Sequence, residues 1–379
     1  MTTPAEWAAR AQAAADTVTT HFGHRLLGLP DTWIASVRSP SPSVFSPSGF
    51  SPSGAFPVPW SEWHYWWQAH YLDAVLDSAQ RRGRTSSGLE LRRAGALLRG
   101  IRKRNGLRLA NSYYDDIAWL ALAAGRLDAL ASASGATSPG LSRRAVQVLG
   151  RRLDRARTDD LGGGLFWSTK RDFKNTPATA PAALFLVRQG RPAPAQALLD
   201  WLHGTLFDAG TGLYLDGIKI LPTGTETERG IYSYNQGTVL GALVELGGAA
   251  NLRRAADLIS AVEAHLTEDG PAGTRVLTLS GSGDGGLFTG ILARYLGVAA
   301  LRTGLDARAR ETAVRLVLDT AESLWQARSA VPFLRFPASH SEPAARTYPP
   351  DAAVELSTQL QAWMTLECAC RLASPDALG

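Results

Sequence analysis

Apolar residues recur at helical spacing along almost the whole chain, and this pattern limits the possible folds more than any other feature. In twelve segments, apolar positions lie three and four residues apart, which places them on one face of an α-helix. Alternating strand patterns are short, although extended pieces near 213–221 and 275–280 could pair as hairpins. The sequence therefore predicts an all-α protein with helices over residues 4–21, 60–80, 88–104, 114–134, 138–157, 177–189, 193–207, 232–248, 251–267, 285–303, 306–327 and 352–373.

These helices are of two kinds. Four of them, at 88–104, 138–157, 251–267 and 306–327, are amphipathic and rich in arginine, as expected of helices with one face in water. The even-numbered helices are apolar almost all round, which is typical of buried helices. Six helical hairpins closed into a toroid would place the apolar helices in an inner ring and the amphipathic ones outside.

The inner helices share a second property, which lies at their beginnings. Each starts with a segment rich in aromatic, amide or glycine residues, and parallel inner helices would bring these segments together at one end of the toroid. We therefore expect a pocket there. The segments are Trp-His-Tyr-Trp-Trp-Gln-Ala-His at 63–70, Tyr-Tyr-Asp-Asp at 113–116, Lys-Asn-Thr-Pro at 174–177, Tyr-Ser-Tyr-Asn-Gln-Gly at 232–237, Gly-Asp-Gly-Gly-Leu-Phe-Thr-Gly at 283–290 and Ser-Thr-Gln-Leu-Gln-Ala-Trp at 357–363.

Two adjacent carboxylates, Asp115 and Asp116, stand at the start of the fourth predicted helix. Neighbouring carboxylates cannot both ionise freely, so their proton affinities separate. Such a pair can supply a nucleophile and a proton donor, as glycoside hydrolysis requires. The alternative is helix capping, since aspartate suits a helix N-terminus. A second pair, Asp159–Asp160, lies in a glycine-rich segment where turn formation explains it.

Composition and spacing argue against several other functions. The net charge of +5 comes from arginines spread along the chain, without the basic stripe interleaved with aromatics that a nucleic-acid site needs. The two cysteines, Cys368 and Cys370, make no zinc site by spacing, and Gly162-Gly163-Gly164 matches no nucleotide-binding loop. We expect no metal ion and no cofactor. Eleven tryptophans offer platforms for sugar rings as well as core material.

The remaining expectations concern the chain as a whole. We expect one domain over residues 1–379, with a Ser/Pro-rich loop at about 39–56 and a monomeric state. No apolar run is long enough to span a membrane. The first residues do not show the basic start and apolar core of a secretory signal, which predicts a cytoplasmic protein, with export by another route as the alternative.

Several ordered blocks between Trp60 and Trp363 resemble glycoside hydrolase family 76, whose characterised members are endo-acting α-1,6-mannanases. The resemblance implies an (α/α)6 barrel and a retaining mechanism, with Asp115 as nucleophile and Asp116 as general acid/base. Adjacent side chains also reach the roughly 5–5.5 Å carboxyl spacing of retaining enzymes more easily than the wider spacing of inverting ones. The blocks are Tyr-Tyr-Asp-Asp-Ile-Ala-Trp at 113–119, Gly-Gly-Leu-Phe-Trp-Ser-Thr-Lys at 163–170, Lys174-Asn175, Leu215-Asp216-Gly217-Ile218, Tyr-Ser-Tyr-Asn-Gln-Gly at 232–237, Phe288-Thr289-Gly290-Ile291 and Arg294-Tyr295-Leu296.

The predicted substrate is an α-mannan polysaccharide or oligosaccharide. The substrate-binding candidates, which include tryptophans for stacking and amides for hydroxyl groups, are Trp66, Trp67, Gln68, Tyr114, Trp119, Trp167, Lys174, Asn175, Asp216, Tyr234, Asn235 and Gln236. Three alternatives remain at this point. They are a transglycosylase on mannan-type glycans, an inactive glycan-binding toroid, and a metal-dependent terpenoid synthase, although position 119, where such a synthase needs a third acidic residue, is Trp.

Overall fold

The computed structural model describes residues 2–39, 62–83, 85–135, 140–349 and 352–374. Trp60 and most of the Ser/Pro-rich segment lie outside these ranges. The described residues contain twelve long helices, as the apolar periodicity predicts, and one additional short α-helix. The helices are α1 (Pro4–His21), α2 (Tyr65–Arg82), α3 (Gly88–Arg104), α4 (Tyr114–Ala133), α5 (Gly140–Ala156), α6 (Thr176–Arg188), α7 (Pro192–Thr205), α8 (Ser233–Leu246), α9 (Ala249–His265), α10 (Gly285–Ala300), α11 (Ala307–Gln326), the short α12 (Ala344–Thr347) and α13 (Leu356–Ala373).

The helices form two concentric rings. In the inner ring α2, α4, α6, α8, α10 and α13 each pack against the next, and α13 packs against α2 to close the circle. The outer ring consists of α1, α3, α5, α7, α9 and α11, each packed against its inner neighbours. This arrangement is an (α/α)6 barrel and confirms the predicted toroid.

Burial follows the same division. In α6 every residue from Thr176 to Leu186 is buried, whereas α5 buries only one face, through Ser142, Ala145, Leu149, Leu153 and Ala156. Glycine allows the inner helices to approach closely where they touch. A Cβ on Gly290 of α10 would lie 2.7 Å from the Cα of Gln361 in α13. The apolar helices therefore form the core, and the amphipathic helices cover it.

Short strands build the connections between helices, and the predicted hairpins lie among them. Strands β5 and β6 pair, β9 pairs with β10, and β7 pairs with both β4 and β8. The last predicted helix begins four residues later than expected, because β11 pairs with β3 before α13 starts. The strands are β1 (Gly23–His24), β2 (Ile34–Ala35), β3 (Arg38–Ser39), β4 (Phe173–Asn175), β5 (Phe207–Asp208), β6 (Leu213–Tyr214), β7 (Gly217–Leu221), β8 (Gly224–Glu228), β9 (Thr267–Asp269), β10 (Arg275–Leu277) and β11 (Val354–Glu355).

Side-chain amides in the first turns of three inner helices hold the backbone of these connections. Gln68 pairs with both the N–H and the C=O of Ala35 at 2.9 Å each. Gln236 does the same with Tyr214 at 2.9 and 2.8 Å, and Gln359 with Phe336 at 2.9 and 3.1 Å. Buried amides satisfied in this way fix the connections against the inner ring.

The C-terminal ends of the inner helices meet at a cavity of about 710 Å³. Buried carboxylates and arginines pair with each other there. Arg294 binds Asp73 at 3.0 Å and Asp77 at 2.6 Å, and Arg126 also binds both aspartates. Arg188 of α6 pairs with Glu245 of α8 at 2.6 Å. We call this ion-pair cluster the arginine end of the barrel.

None of the described helices is long and apolar enough to cross a membrane.

Candidate active site

The opposite end of the barrel holds a pocket of about 350 Å³. The starts of five inner helices contribute to it, as does the chain leading into α6 and the segment between β6 and β7. The twelve lining residues include eight aromatic or proline side chains, three aspartates and one asparagine, and none of them is basic: Trp66, Asp115, Trp119, Trp167, Phe173, Asn175, Pro177, Asp216, Tyr232, Tyr234, Asp284 and Phe288. The pocket is therefore an aromatic basin with acidic groups.

Asp115 lies in the first turn of α4, whose N-cap residue is Tyr113. Its Oδ1 accepts a hydrogen bond from the backbone N–H of Asp116 at 2.9 Å. Its Oδ2 accepts one from the indole N–H of Trp167 at 2.9 Å. The carboxylate thus satisfies one free N–H of the helix start and still lines the pocket, so helix stabilisation and a role in the pocket are compatible.

Asp116 is partly exposed beside the pocket and is held from the other side. The side-chain amide of Asn111 donates a hydrogen bond to Asp116 Oδ2. Asn111 is itself fixed, because its Oδ1 accepts from the backbone N–H of Tyr113 at 3.0 Å. This turn at the entrance to α4 sets the orientation of the second carboxylate.

The two aspartates differ in proton affinity. Burial raises the pKa of Asp115 to about 6, although the N–H groups of Asp116 and Trp167 counteract the rise. Burial and the neighbouring charge of Asp115 hold the pKa of Asp116 well above its ordinary value. Asp116 therefore holds a proton more tightly than Asp115, so when the pair carries a single proton it lies on Asp116.

Trp167 reaches Asp115 because of the extended chain that precedes α6. Its carbonyl accepts from the N–H of Tyr114 at 2.7 Å, and its N–H donates to the carbonyl of Phe173 at 2.7 Å. Gly164 makes the approach possible. Its φ is +71° and an added Cβ would lie 2.5 Å from the ring of Trp201, so a larger residue would displace this segment.

Asp216 provides a third carboxylate, between β6 and β7. Asn235 of α8 donates to its Oδ1 at 3.2 Å, and burial raises the pKa of Asp216 to about 6. The other amide atom of Asn235, Oδ1, has no partner among the described residues. Asn175 lies nearby and caps α6 by accepting from the N–H of Ala178 at 3.1 Å.

The pocket walls are a chain of aromatic contacts. Tyr234 stacks on Phe288 with ring centroids 4.3 Å apart, and Trp66 lies 6.3 Å from Tyr234. Trp119 rests on His70, whose ring is 4.7 Å away. Burial lowers the pKa of His70 to about 3, so the imidazole below the pocket is neutral. Rigid ring faces of this kind suit the apolar faces of sugar rings.

In the structure, the site residues predicted from the sequence fall into three groups. Seven line the pocket: Trp66, Asp115, Trp119, Trp167, Asn175, Asp216 and Tyr234. Four are outside the lining but donate hydrogen bonds to lining residues. The backbone N–H groups of Asp116 and Tyr114 donate to Asp115 and Trp167, and the side chains of Trp67 and Asn235 donate to Asp284 and Asp216. Three lie away from the pocket: Gln68 and Gln236 bind connection backbone, and the Lys174 ammonium is bound by the carbonyls of Thr158, Asp160 and Gly163.

Other pocket residues were not proposed from the sequence. They are Phe173, Pro177, Tyr232, Asp284 and Phe288; Asn111, which holds Asp116 from outside the lining, was not proposed either. Most belong to the segments at the starts of inner helices, and this position is the signal that could have identified them. Within the described residues, no group of three or more His, Cys, Asp and Glu side chains is arranged to hold a metal ion.

Known proteins share this fold and sequence pattern. The model of glycosyl hydrolase family 76 matches residues 46–332, and no curated protein sequence matches significantly. The α-1,6-mannanase GH76A of Salegentibacter sp. HEL1_6 is 28% identical, with a TM-score of 0.79 over 97% of this chain and 99% of that one. An inactive variant of that enzyme, with two neighbouring aspartates changed to asparagine, was solved with α-1,6-mannotriose; it is 27% identical, with a TM-score of 0.79 and the same coverage.

A more distant relative and a structure that shares only the fold complete the comparison. The Lin0763 protein from Listeria innocua is 26% identical, with a TM-score of 0.77 over 97% of each chain. Dfg5 from Chaetomium thermophilum, solved with glucosamine, is 14% identical, with a TM-score of 0.69 over 97% of this chain and 90% of that one, and so shares the fold. The family match covers more than half of the sequence, and the chain belongs to glycosyl hydrolase family 76.

Proposed function

We propose that this protein is a retaining glycoside hydrolase that cleaves α-1,6-linked mannose chains through a covalent intermediate on Asp115. Family membership supports hydrolysis of a glycosidic bond, and a relative that is 28% identical over nearly the whole chain is an α-1,6-mannanase. The aromatic pocket without basic residues suits a neutral sugar chain.

One observation carries the proposal, namely the two adjacent carboxylates at the pocket, of which Asp115 is held by the N–H groups of Trp167 and Asp116, and Asp116 by the amide of Asn111. The sequence holds two adjacent aspartate pairs, at 115–116 and 159–160. Only the first has a member that lines the pocket. The relative that is described as inactive also carries its two changes at neighbouring aspartates, which supports a catalytic role for such a pair.

In the first step the ionised Asp115 attacks the anomeric carbon of a bound mannosyl unit. The bond from that carbon to Asp115 forms as the glycosidic bond breaks, and Asp116 gives its proton to the departing oxygen. The N–H groups of Trp167 and Asp116 hold the Asp115 carboxylate in place. Protonated Asp116 is suited to this step because burial and its neighbour keep its pKa high.

In the second step water replaces the enzyme at the anomeric carbon. Asp116, now ionised, takes a proton from the water as the oxygen of that water forms the new bond and the bond to Asp115 breaks. Both carboxyl groups return to their starting states. Two displacements at one carbon keep the α configuration, so the first product formed is the α anomer.

The test compares Asp115→Asn and Asp116→Asn with Asp159→Asn on an unbranched α-1,6-mannan. We expect each of the first two variants to lose activity by a factor on the order of 10³ or more, while Asp159→Asn, in the second pair, retains it. NMR during the first minutes should show the α anomer.

Several outcomes would contradict the proposal. Undiminished cleavage by Asp115→Asn and Asp116→Asn would remove the pair from the mechanism, and an initial β product would exclude retention. Products longer than the substrate would identify a transglycosylase that uses the same intermediate.

A further inference from the structure

Asp284 occupies the N-cap position of α10 but does not cap it. Its backbone has φ −62° and ψ −35°, and its side chain accepts no hydrogen bond from the helix start. Two other residues show the usual behaviour in the same protein. Asp306 accepts from the N–H of Ala309 at 3.0 Å, and Asn175 accepts from that of Ala178 at 3.1 Å. Asp284 therefore does not form the side-chain cap that an aspartate at this position usually provides.

The carboxylate instead receives two indole N–H groups from another helix. Trp66 and Trp67, neighbours in α2, donate to the same oxygen, Oδ1, at 3.1 and 2.9 Å. Trp67 is buried behind the pocket, whereas Trp66 lines it. Asp284 thus fixes the orientation of the Trp66 ring as well as linking α10 to α2.

The loop that carries Asp284 is itself fixed. The N–H of Gly283 donates to Glu355 Oε2 at 2.5 Å, and Glu355 is paired with Arg38 at 3.1 Å. The position of the Asp284 carboxylate therefore depends on three segments of the barrel, and the side chain is held although it is exposed.

The second oxygen of Asp284 is free to bind a ligand. Oδ2 accepts no hydrogen bond from the described residues, and the side chain lines the pocket next to Trp66. An ionised carboxylate accepts hydrogen bonds from hydroxyl groups more strongly than a neutral group does. A fixed aromatic ring beside a fixed carboxylate matches a sugar, which has an apolar face and hydroxyl groups at its edge.

We propose that Asp284 is a further substrate-binding residue, which accepts hydrogen bonds from neighbouring hydroxyl groups of a mannosyl unit stacked on Trp66. This assignment rests on the proposed function, since it takes the ligand to be a mannose chain. It assigns Asp284 two tasks that capping would not serve, namely holding the aromatic platform and binding the sugar that lies on it.

The test measures binding rather than turnover. In the full-length Asp115→Asn/Asp116→Asn variant, α-1,6-mannotriose is titrated by calorimetry, with and without Asp284→Ala or Asp284→Asn. We expect Asp284→Ala to weaken binding about tenfold or more, because a charged hydrogen-bond acceptor and the anchor of Trp66 are lost together. Asp284→Asn keeps an oxygen that can accept from the indoles, so its affinity for mannotriose should lie between those of the parent and of Asp284→Ala.

Asp306→Ala in the same background is the matched control. It removes an aspartate that does cap a helix, so we expect a lower melting temperature and an unchanged affinity for mannotriose. Asp284→Ala should instead weaken binding. Its melting temperature should also fall, because the buried indole N–H of Trp67 loses its acceptor, so the affinity for mannotriose is the readout that separates the two variants.

The outcomes separate this assignment from the proposed function. If the parent binds mannotriose and both Asp284 variants bind it equally well, the assignment alone is wrong. If the parent shows no binding of mannotriose, the proposed function and the assignment fail together. Graded loss from Asn to Ala, with the control unchanged, supports the assignment.

Discussion

The two ends of the barrel use the same residue type in opposite ways. At the arginine end, Asp73 and Asp77 are shared by Arg126 and Arg294. At the pocket end, Asp115, Asp216 and Asp284 face a basin in which no lining residue is basic. Burial alone would raise the pKa of Asp73, but Arg126 and Arg294 lower it to about 2. Without such partners, burial raises the pKa of Asp115 and of Asp216 to about 6.

The direction of the inner helices explains this division. Their starts meet at the pocket and their ends meet at the arginine cavity. A helix start carries partial positive charge and favours carboxylates, whereas a helix end carries partial negative charge and favours arginine. The helix starts therefore offset part of the cost of burying carboxylates without cations, and these carboxylates remain available for chemistry. The other end uses its charges for stability.

Removing a cation from the arginine end should give the largest change in stability. Arg294→Met leaves Asp73 and Asp77 with one arginine between them, and breaking a buried ion pair costs about 3–5 kcal/mol. Denaturant unfolding at pH 7 should show a loss of that order. Arg371→Met, which changes an exposed arginine lining the same cavity, serves as control and should change the free energy of unfolding by less than about 0.5 kcal/mol. Equal effects would contradict the contrast between the two ends.

Removing a carboxylate from the pocket end should have the opposite effect and increase the free energy of unfolding. The pKa of Asp115 is raised in the folded protein to about 6 from an ordinary 3.8. Its ionisation therefore destabilises the fold as pH rises from about 4 through 6. We expect Asp115→Asn to increase the free energy of unfolding at pH 7.5 by about 1–3 kcal/mol, the pKa shift setting the upper value and the loss of one of the two hydrogen bonds to the carboxylate reducing it. The gain should vanish near pH 4. If the variant were less stable than the parent at pH 7.5, the contacts of the ionised Asp115 carboxylate would outweigh the cost of its burial, which would contradict this prediction.

The smallest effect concerns the indole that holds Asp115. The Trp167 N–H favours the ionised carboxylate, so Trp167→Phe should raise the pKa of Asp115 further. Activity requires ionised Asp115, and the acidic limb of the kcat/KM profile, expected near pH 6, should move to higher pH by about half a unit. Trp325→Phe, in the outer helix α11, provides the comparison and should leave the limb in place. An unmoved limb in Trp167→Phe would mean that another group sets it.

Sequence periodicity predicted the two rings and the end of the barrel where the pocket lies, because both depend only on which helix faces are apolar. Individual side chains were harder to place. Trp66 and Trp67 are adjacent, but neighbours on a helix point about 100° apart, so one lines the pocket and the other lies behind it. Gln68 and Gln236 were proposed for sugar binding, yet they bind the backbone of connections whose course the sequence does not reveal.

Asp284 illustrates the opposite difficulty. Glycines flank it on both sides, a pattern that is typical of a turn, and its tryptophan partners are more than 200 positions away in the chain, 218 in the case of Trp66. Such a contact depends on closure of the ring, which local pattern cannot indicate. The Asp115–Asp116 pair was identifiable because both carboxylates are adjacent in sequence as well as in space.

That same contact has a consequence for how the protein assembles. The hydrogen bond from Trp66 to Asp284 spans 218 positions, and the pocket takes side chains from five inner helices. Contacts between distant parts of a chain form late, since the intervening segment must first be ordered. During refolding, helical circular dichroism should therefore recover before the capacity to bind sugar. Ligand binding then reports closure of the inner helix ring, a late step that measurements of helix content do not detect.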